Sequence, residues 1–230
     1  MPAFEAVLFD WVGTLIVPKW GPVRSGPGGA HWISGALRAL DRDPAGLAGI
    51  SSALTEAGHR PEVAEGWRGA DASPTTYRAA YLRWTDAAGL DRPLADRLYA
   101  DLADPAAARF ATDTAEVLAA VKAAGLRVAV ISDIHFDVRP AFAEAGLDGY
   151  VDEFVLSYEV GVCKPDPAIF RAALTRLGLR PEQALMVGDR SGHDGAAVEA
   201  GLPTLLVPPL TDPAERRLHL VLNACGLSTA

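Results

Sequence analysis

Lysine is nearly absent from this chain. Lys19, Lys122 and Lys164 stand against eighteen arginines, and all 21 basic residues are outnumbered by 29 acidic ones, for a net charge of -8 and a pI near 5.1. An acidic protein lacks the clustered Lys and Arg that phosphate backbones demand, so a nucleic-acid partner is not expected and a small molecule is. Cysteine is equally scarce. Cys163 and Cys225 cannot build a disulfide framework. The start of the chain has no charged segment followed by a long apolar one, so the expected location is the reducing cytoplasm. No stretch approaches the roughly 20 apolar residues that span a bilayer, so a membrane partner is not expected either. No sequence feature fixes an oligomeric state.

What is present is a globular composition: 230 residues, half of them hydrophobic and 22% charged, enough for one good core and an insertion. Short apolar runs predict strands at Ala6 to Phe9, Arg127 to Ile131, Val151 to Leu156, Ala184 to Val187 and Thr204 to Val207. Helical patterns lie at Asp113 to Ala124, Arg139 to Ala145, Pro167 to Leu177, Asp194 to Ala200 and Pro213 to Ala224. Alternation of buried strands with helices indicates right-handed βαβ units around a parallel, Rossmann-like sheet, an α/β fold. The stretch from about Val17 to Asp104 breaks that rhythm. It has no convincing strand and opens on a Pro/Gly-rich segment from Pro18 to Gly29. It then turns helical, as at Ser73-Pro74, a capping residue followed by proline at the first helical position. The expected organisation is a core of residues 1–16 and 105–230 with an inserted helical cap over 17–104.

The run Val7-Leu8-Phe9-Asp10-Trp11-Val12-Gly13-Thr14-Leu15 sends one carboxylate from an apolar strand into a Gly-Thr turn, which suits a nucleophile better than a surface charge. Three further polar groups follow predicted strands: Ser132, with Asp133 and His135 behind it; Gly161-Val162-Cys163-Lys164-Pro165-Asp166-Pro167; and Gly188-Asp189-Arg190-Ser191-Gly192-His193-Asp194. In this order the four segments resemble the four motifs of the haloacid dehalogenase superfamily, a group of mainly phosphate-transferring hydrolases, and together they cover the core. The resemblance implies that Asp10 is the nucleophile and that the Ser132 hydroxyl and Lys164 bind the transferred phosphoryl group, with Thr14 or its neighbouring amides. It also implies that Asp189 and Asp194 hold Mg2+ beside Asp10, with the backbone carbonyl of Val12 completing the site. In members with a cap after the first motif, the helical insertion falls where it does here.

The same set is what physics requires. A carboxylate attacking a phosphate is an anion meeting an anion, so a divalent cation and an ammonium are needed for approach. Loops at the carboxyl ends of adjacent strands converge at the switch point of a doubly wound sheet, and all four segments fall there. One residue departs from the family pattern. Phosphatases of the superfamily carry a general acid and base two positions after the nucleophile, where this chain has Val12. Positioned acid/base catalysis is worth about 10²- to 10⁴-fold, so turnover is expected to be weakened or redirected rather than abolished. A substrate with an acidic leaving group needs no protonation, and His31, His135 and His193 are the candidate stand-ins.

Competing readings attach to each feature. Dehalogenases of the superfamily typically lack the acidic pair that Asp189 and Asp194 supply. Phosphonoacetaldehyde hydrolases have a similar first motif but require a cap lysine, and no lysine lies between Trp20 and Val121. A non-acidic residue at the Val12 position has a P-type ATPase-like precedent for slow aspartyl-phosphate hydrolysis. A regulatory, non-catalytic relative that binds a phosphorylated ligand is the alternative outside enzymes. Arg190 reads as a salt-bridging surface arginine, Asp133 as a local hydrogen-bond acceptor, Cys163 as a small buried residue, and His59 and His219 as surface residues. Trp20, Trp32, Trp67 and Trp84 read either as packing within the insertion or as an aromatic wall for a substrate. The reading that results is a magnesium-dependent phosphatase acting on a small phosphorylated metabolite through an aspartyl-phosphate on Asp10.

Overall fold

Side chains of Ala6, Val7, Leu8 and Phe9 are all fully buried, because the strand they form lies mid-sheet with helices on both faces. The computed structural model describes residues 3–18 and 30–227, and of Ala30 and His31 the backbone alone. Lys19, Trp20, the Gly21 to Gly29 run and the side chain of His31 lie outside the described residues. The five-stranded sheet contains β1 (Ala6–Phe9), β4 (Arg127–Ser132), β5 (Glu153–Leu156), β6 (Ala184–Gly188) and β7 (Thr204–Leu206), in the order β5-β4-β1-β6-β7 and all parallel. Phe9 is in register with Val130 on one side and Val187 on the other, so the residues after all three strands emerge at one edge.

The period of two along each strand splits the core. Val7, Phe9, Val128 and Val130 face α6 (Thr114–Ala123) and α10 (His219–Ala224), whereas Ala6, Leu8, Ala129 and Ile131 face α9 (Pro167–Leu177). α9 shows how local signals fix an element. Asp166 caps its start by accepting the Ala168 N–H at 2.8 Å, Pro167 takes the first helical position, and Gly178 ends it at φ 63°. Its apolar face of Ile169, Phe170, Ala173, Leu174 and Leu177 is buried on the sheet, and Phe170→Ala there would destabilise by about 3–5 kcal/mol. α7 (Arg139–Glu144) and α8 (Ser157–Val160) complete the crossovers.

Three expectations need correction. Strand structure does enter the start of the insertion: β2 (Ile16–Pro18) pairs antiparallel with β3 (Ala108–Phe110), a two-stranded ladder away from the main sheet. Three residues on each side are too few for an alternation to be read. Residues Asp194–Ala200 form a 3-10 helix rather than an α-helix. Of the helix expected from Pro213 to Ala224, only His219–Ala224 forms. The preceding backbone is committed elsewhere: the Leu210 N–H donates to the Gly13 carbonyl, the Pro213 carbonyl accepts from Thr112, and the Leu218 N–H donates to Asp113. An N–H committed in this way, as at Leu218, cannot also close an i to i−4 ring.

Between the ladder strands, α1 (Ala30–Ala39), α2 (Leu47–Gly58), α3 (Pro61–Gly66), α4 (Pro74–Ala87) and α5 (Arg92–Ala100) surround a separate apolar cluster rich in aromatic rings. α4 starts as its signal predicts, with Ser73 Oγ accepting the Thr76 N–H and Pro74 at the first position. No helix among the described residues is long and apolar enough to cross a membrane.

Candidate active site

Asp10 is the first residue after β1, its N–H bonded to the Val187 carbonyl at 2.8 Å and its side chain almost fully buried. Lys164, on the loop before α9, brings its ammonium 2.6 Å from Asp10 Oδ1, 2.6 Å from Asp194 Oδ1 and 3.3 Å from the Ile131 carbonyl. Three acceptors match the three ammonium protons. Burial by itself would lower the pKa of Lys164, but Asp10, Asp194 and Asp133 around it raise it above the ordinary lysine value, so it is charged at neutral pH. Asp133 has the role expected of it, since its carboxylate accepts the Lys164 backbone N–H at 2.8 Å. Arg190 is about half exposed and sits 3.9 Å from Asp133.

The turn after Asp10 is held by its own geometry. Thr14 Oγ1 donates to Asp10 Oδ2 at 3.1 Å and lies 3.4 Å from Asp189 Oδ1. Gly13 has φ 87°, and a Cβ there would stand 2.7 Å from the Asp189 carboxylate, so glycine is required twice over. The bonds that close the turn run from Ile16 N–H to the Trp11 carbonyl and from Gly13 N–H to the Ile16 carbonyl; neither uses the carbonyl of Val12. Gly188 is needed for a similar reason. A Cβ there would meet Asp194 at 2.2 Å.

Asp10, Asp189 and Asp194 offer oxygens that all lie within 4.8 Å of one another. Asp194 is fully buried and already engaged, with Oδ1 on Lys164 and Oδ2 accepting the N–H groups of Asp189 and Arg190 at 3.1 and 2.9 Å. It therefore locks the loop that presents Asp189. Burial first, and then repulsion from Asp10 and Asp194, push the Asp189 carboxyl up to about 6. Burial raises Asp10 as well, against the opposing pull of Lys164. Three carboxylates against one ammonium leave excess negative charge, and an all-oxygen donor set is what a hard divalent cation takes, so the residues fit magnesium. Ser132, the last residue of β4, is buried beside this group at the same sheet edge.

A cavity of about 1580 Å³ opens over these residues, lined by Val12, Lys164, Asp189 and Arg190 from the sheet side and by Trp67 and Tyr77 from the helical side. The two sides meet at a seam the sequence did not reveal. His135 stacks on Tyr77 with ring centroids 3.3 Å apart, its Nδ1 is 3.6 Å from Asp71 Oδ1, and Ser157 Oγ donates to the Asp71 carbonyl at 2.7 Å. His193 also lines the cavity. Trp32 and Trp84 are structural, their indole N–H groups donating to the carbonyls of Leu98 and Leu54. Trp67 packs edge-on against Tyr77 and Trp84 while lining the cavity. Burial pushes the Cys163 thiol up to about 11, so it stays protonated and poorly nucleophilic. His59 and His219 are exposed. Arg217, which no motif marks, is buried behind the turn with Nη2 on the carbonyls of Gly13 and Thr14.

Known proteins resemble this chain in sequence and in fold. Over 106 residues the chain is 37% identical to glyceraldehyde 3-phosphate phosphatase of Methanothermobacter thermautotrophicus, covering 45% of this chain and 47% of that protein. Over 104 residues it is 31% identical to (S)-2-haloacid dehalogenase 4A of Burkholderia cepacia, 45% of each chain. The chain thus aligns with about half the length of each of these relatives. The crystal structure of a HAD phosphatase from Thermococcus onnurineus superposes with a TM-score of 0.65 at 19% identity, covering 96% of this chain and 98% of that one, a likeness of fold. The family model for haloacid dehalogenase-like hydrolases matches residues 4–201, which takes in β1, every strand-end group described above and the helices between them. The chain belongs to the haloacid dehalogenase-like hydrolases.

Proposed function

We propose that this hydrolase is a magnesium-dependent phosphatase that transfers the phosphoryl group of a small phosphorylated metabolite to Asp10 and then to water. The observation that carries this reading is the buried Lys164 bridging Asp10 and Asp194 with Asp189 alongside, an arrangement with one ammonium for three carboxylates. Asp10, Asp189, Asp194 and the Val12 carbonyl would hold the magnesium, with Asp194 also fixing the loop that carries Asp189. The ion would offset the charge repulsion between the carboxylate and the incoming phosphate.

The chain's own groups supply the rest. Lys164 orients one oxygen of Asp10 and neutralises charge, and Thr14 orients the other. The free carboxylate lone pair attacks phosphorus, the ester P–O bond breaks, and the alcohol leaves with its bonding pair and gains a proton from solvent or from a cavity residue. Ser132 and Lys164 bind the transferred group. Water then attacks the aspartyl-phosphate, releasing inorganic phosphate and restoring Asp10. Val12 lines the cavity where family phosphatases carry their acid and base, so both half-reactions run with weakened proton transfer and the second is slow. The α1–α5 unit acts as the cap, since Trp67 and Tyr77 wall the same cavity as Asp189 and Lys164. The phosphatase relative aligned over 106 residues adds support from sequence. The paired Asp189 and Asp194 weigh against halide chemistry, which needs no metal.

The test is phosphate release from an aryl phosphate and a metabolite phosphate panel, with and without magnesium. Magnesium-dependent release that Asp10→Asn abolishes establishes the chemistry, and faster turnover in Val12→Asp identifies proton transfer as its limit. No phosphate from any substrate in either wild type or Val12→Asp refutes the reading, and halide release and phosphonate cleavage are then the reactions to assay.

A further inference from the structure

We propose that Arg217 is a positioning residue for the Asp10 nucleophile, acting from the back of the Gly13-Thr14 turn; the inference rests on the phosphatase reading above.

Arg217 lies outside the family match, which ends at residue 201, and far in sequence from every strand-end group. Its guanidinium is nonetheless buried, and one nitrogen, Nη2, donates to both the Gly13 carbonyl at 2.7 Å and the Thr14 carbonyl at 2.8 Å. Those two residues control the site. Thr14 carries the hydroxyl that bonds Asp10 Oδ2, and Gly13 packs its Cα against the Asp189 carboxylate with no room for a Cβ. Fixing two consecutive carbonyls fixes the direction of both.

Neighbouring bonds hold the clamp itself in place. The Leu210 N–H also donates to the Gly13 carbonyl at 2.8 Å, and the Leu218 N–H donates to the buried Asp113 at 2.8 Å, so the segment carrying Arg217 is tied on both sides of it. Thermodynamically, this is an expensive way to hold a turn. A buried guanidinium loses its hydration, and Nε and Nη1 find no hydrogen-bond partner among the described residues. A neutral donor would satisfy two carbonyls at less cost. What a guanidinium adds is a positive charge behind the turn: burial works against that charge, and the carboxylates around it, Asp113 first and Asp189 next, work for it.

The experiment compares wild type, Arg217→Gln and Arg217→Lys for kcat and KM on the best aryl phosphate of the panel, melting temperature, and formation of the fluoroberyllate adduct of Asp10 with magnesium, read by fluorine NMR. Leu222→Ala, at a buried apolar position in α10 with no polar group to lose, serves as the control for stability alone. Arg217→Gln should lower kcat on the order of 10²-fold with KM changed less than about threefold, as expected for a misplaced nucleophile. It should also weaken fluoroberyllate binding about tenfold or more. Arg217→Lys, which restores the charge, should recover most of both. Leu222→Ala should lower the melting temperature and leave kcat in place. Wild-type kcat in Arg217→Gln overturns the inference, as does a loss that Leu222→Ala reproduces at equal destabilisation. Should Arg217→Gln fail to fold, Arg217→Lys decides: kcat reduced a few-fold at constant KM supports positioning, and an unchanged kcat and adduct overturn it. A wild type that neither releases phosphate nor forms the adduct overturns the phosphatase reading and this inference with it.

Discussion

The sheet edge and the helical unit both bury polar atoms, yet they use them in opposite ways. In the α1–α5 unit the polarity is consumed internally: Trp32, Trp84 and Tyr81 each spend their single donor on a backbone carbonyl, of Leu98, Leu54 and Ala95 respectively. Burial pushes the Tyr81 hydroxyl far above its ordinary pKa, so it remains a neutral donor. Beside the ends of β1 and β6 the groups are charged, and three carboxylates meet one ammonium. Neutral pairs that are fully satisfied lock a fold, whereas a charge imbalance held in place by packing stores the capacity to bind a cation and a reacting anion. The difference separates architecture from chemistry within one chain.

Substitutions should fall into the same two classes. The largest effect is expected from Asp10→Asn, with phosphate release reduced at least roughly 10⁴-fold, as for loss of a nucleophile, while circular dichroism and melting remain close to wild type. Lys164→Met should come next and should touch both properties. It leaves Asp10 and Asp194 buried without compensation, so stability should drop by about 3–5 kcal/mol in urea titrations and phosphate release should be lost with it. If Lys164→Met were as stable as wild type, the charged group would be no more demanding than the aromatic one, and the contrast would fail.

Trp84→Phe tests the other side. It removes the donor to the Leu54 carbonyl and should lower stability by about 1–3 kcal/mol, with kcat within about twofold of wild type. A large loss of kcat there would place the aromatic cluster in the chemistry. The smallest expected effect is on pH dependence. In the metal-free protein Asp189 titrates near 6 against an ordinary value of 3.8, so between those values the folded chain holds a proton that the unfolded chain has released. Stability contributed by this group is therefore present at low pH and falls as pH rises from about 4 to 6. A bound cation reverses the sign, because it prefers the ionised carboxylate. The rise in melting temperature on adding magnesium, compared with EDTA, should accordingly grow from pH 5 to pH 7; an equal rise at both would show that Asp189 is not a ligand.

Much of the candidate site was legible in the sequence alone. Asp10 and Asp189 directly follow apolar runs that become β1 and β6, Ser132 ends the run that becomes β4, and a parallel sheet must bring such positions to one edge, whereas Lys164 reaches them from beyond α8. Other features were not legible because they depend on distant partners. Pro213 to Leu218 has a helical pattern, but its Pro213 carbonyl accepts from Thr112 and its Leu218 N–H donates to Asp113, and tertiary bonding overrode local propensity. The β2 and β3 ladder joins short segments about ninety residues apart in sequence. His135 was one of three candidate histidines, and nothing local marks it as the one stacked on Tyr77 beside Asp71.

By itself, then, the sequence determined the alternating α/β core, the acidic oxygen-rich chemistry at its strand ends and the valine in place of a second aspartate. These follow from residue type, period and order along the chain, which are local properties. Only the tertiary structure decided that Asp194 locks a loop, that Trp32 and Trp84 serve packing, and that Arg217 grips the turn after Asp10. A contact between residues some two hundred positions apart exists only when the packed core holds both in place, and no local pattern encodes it.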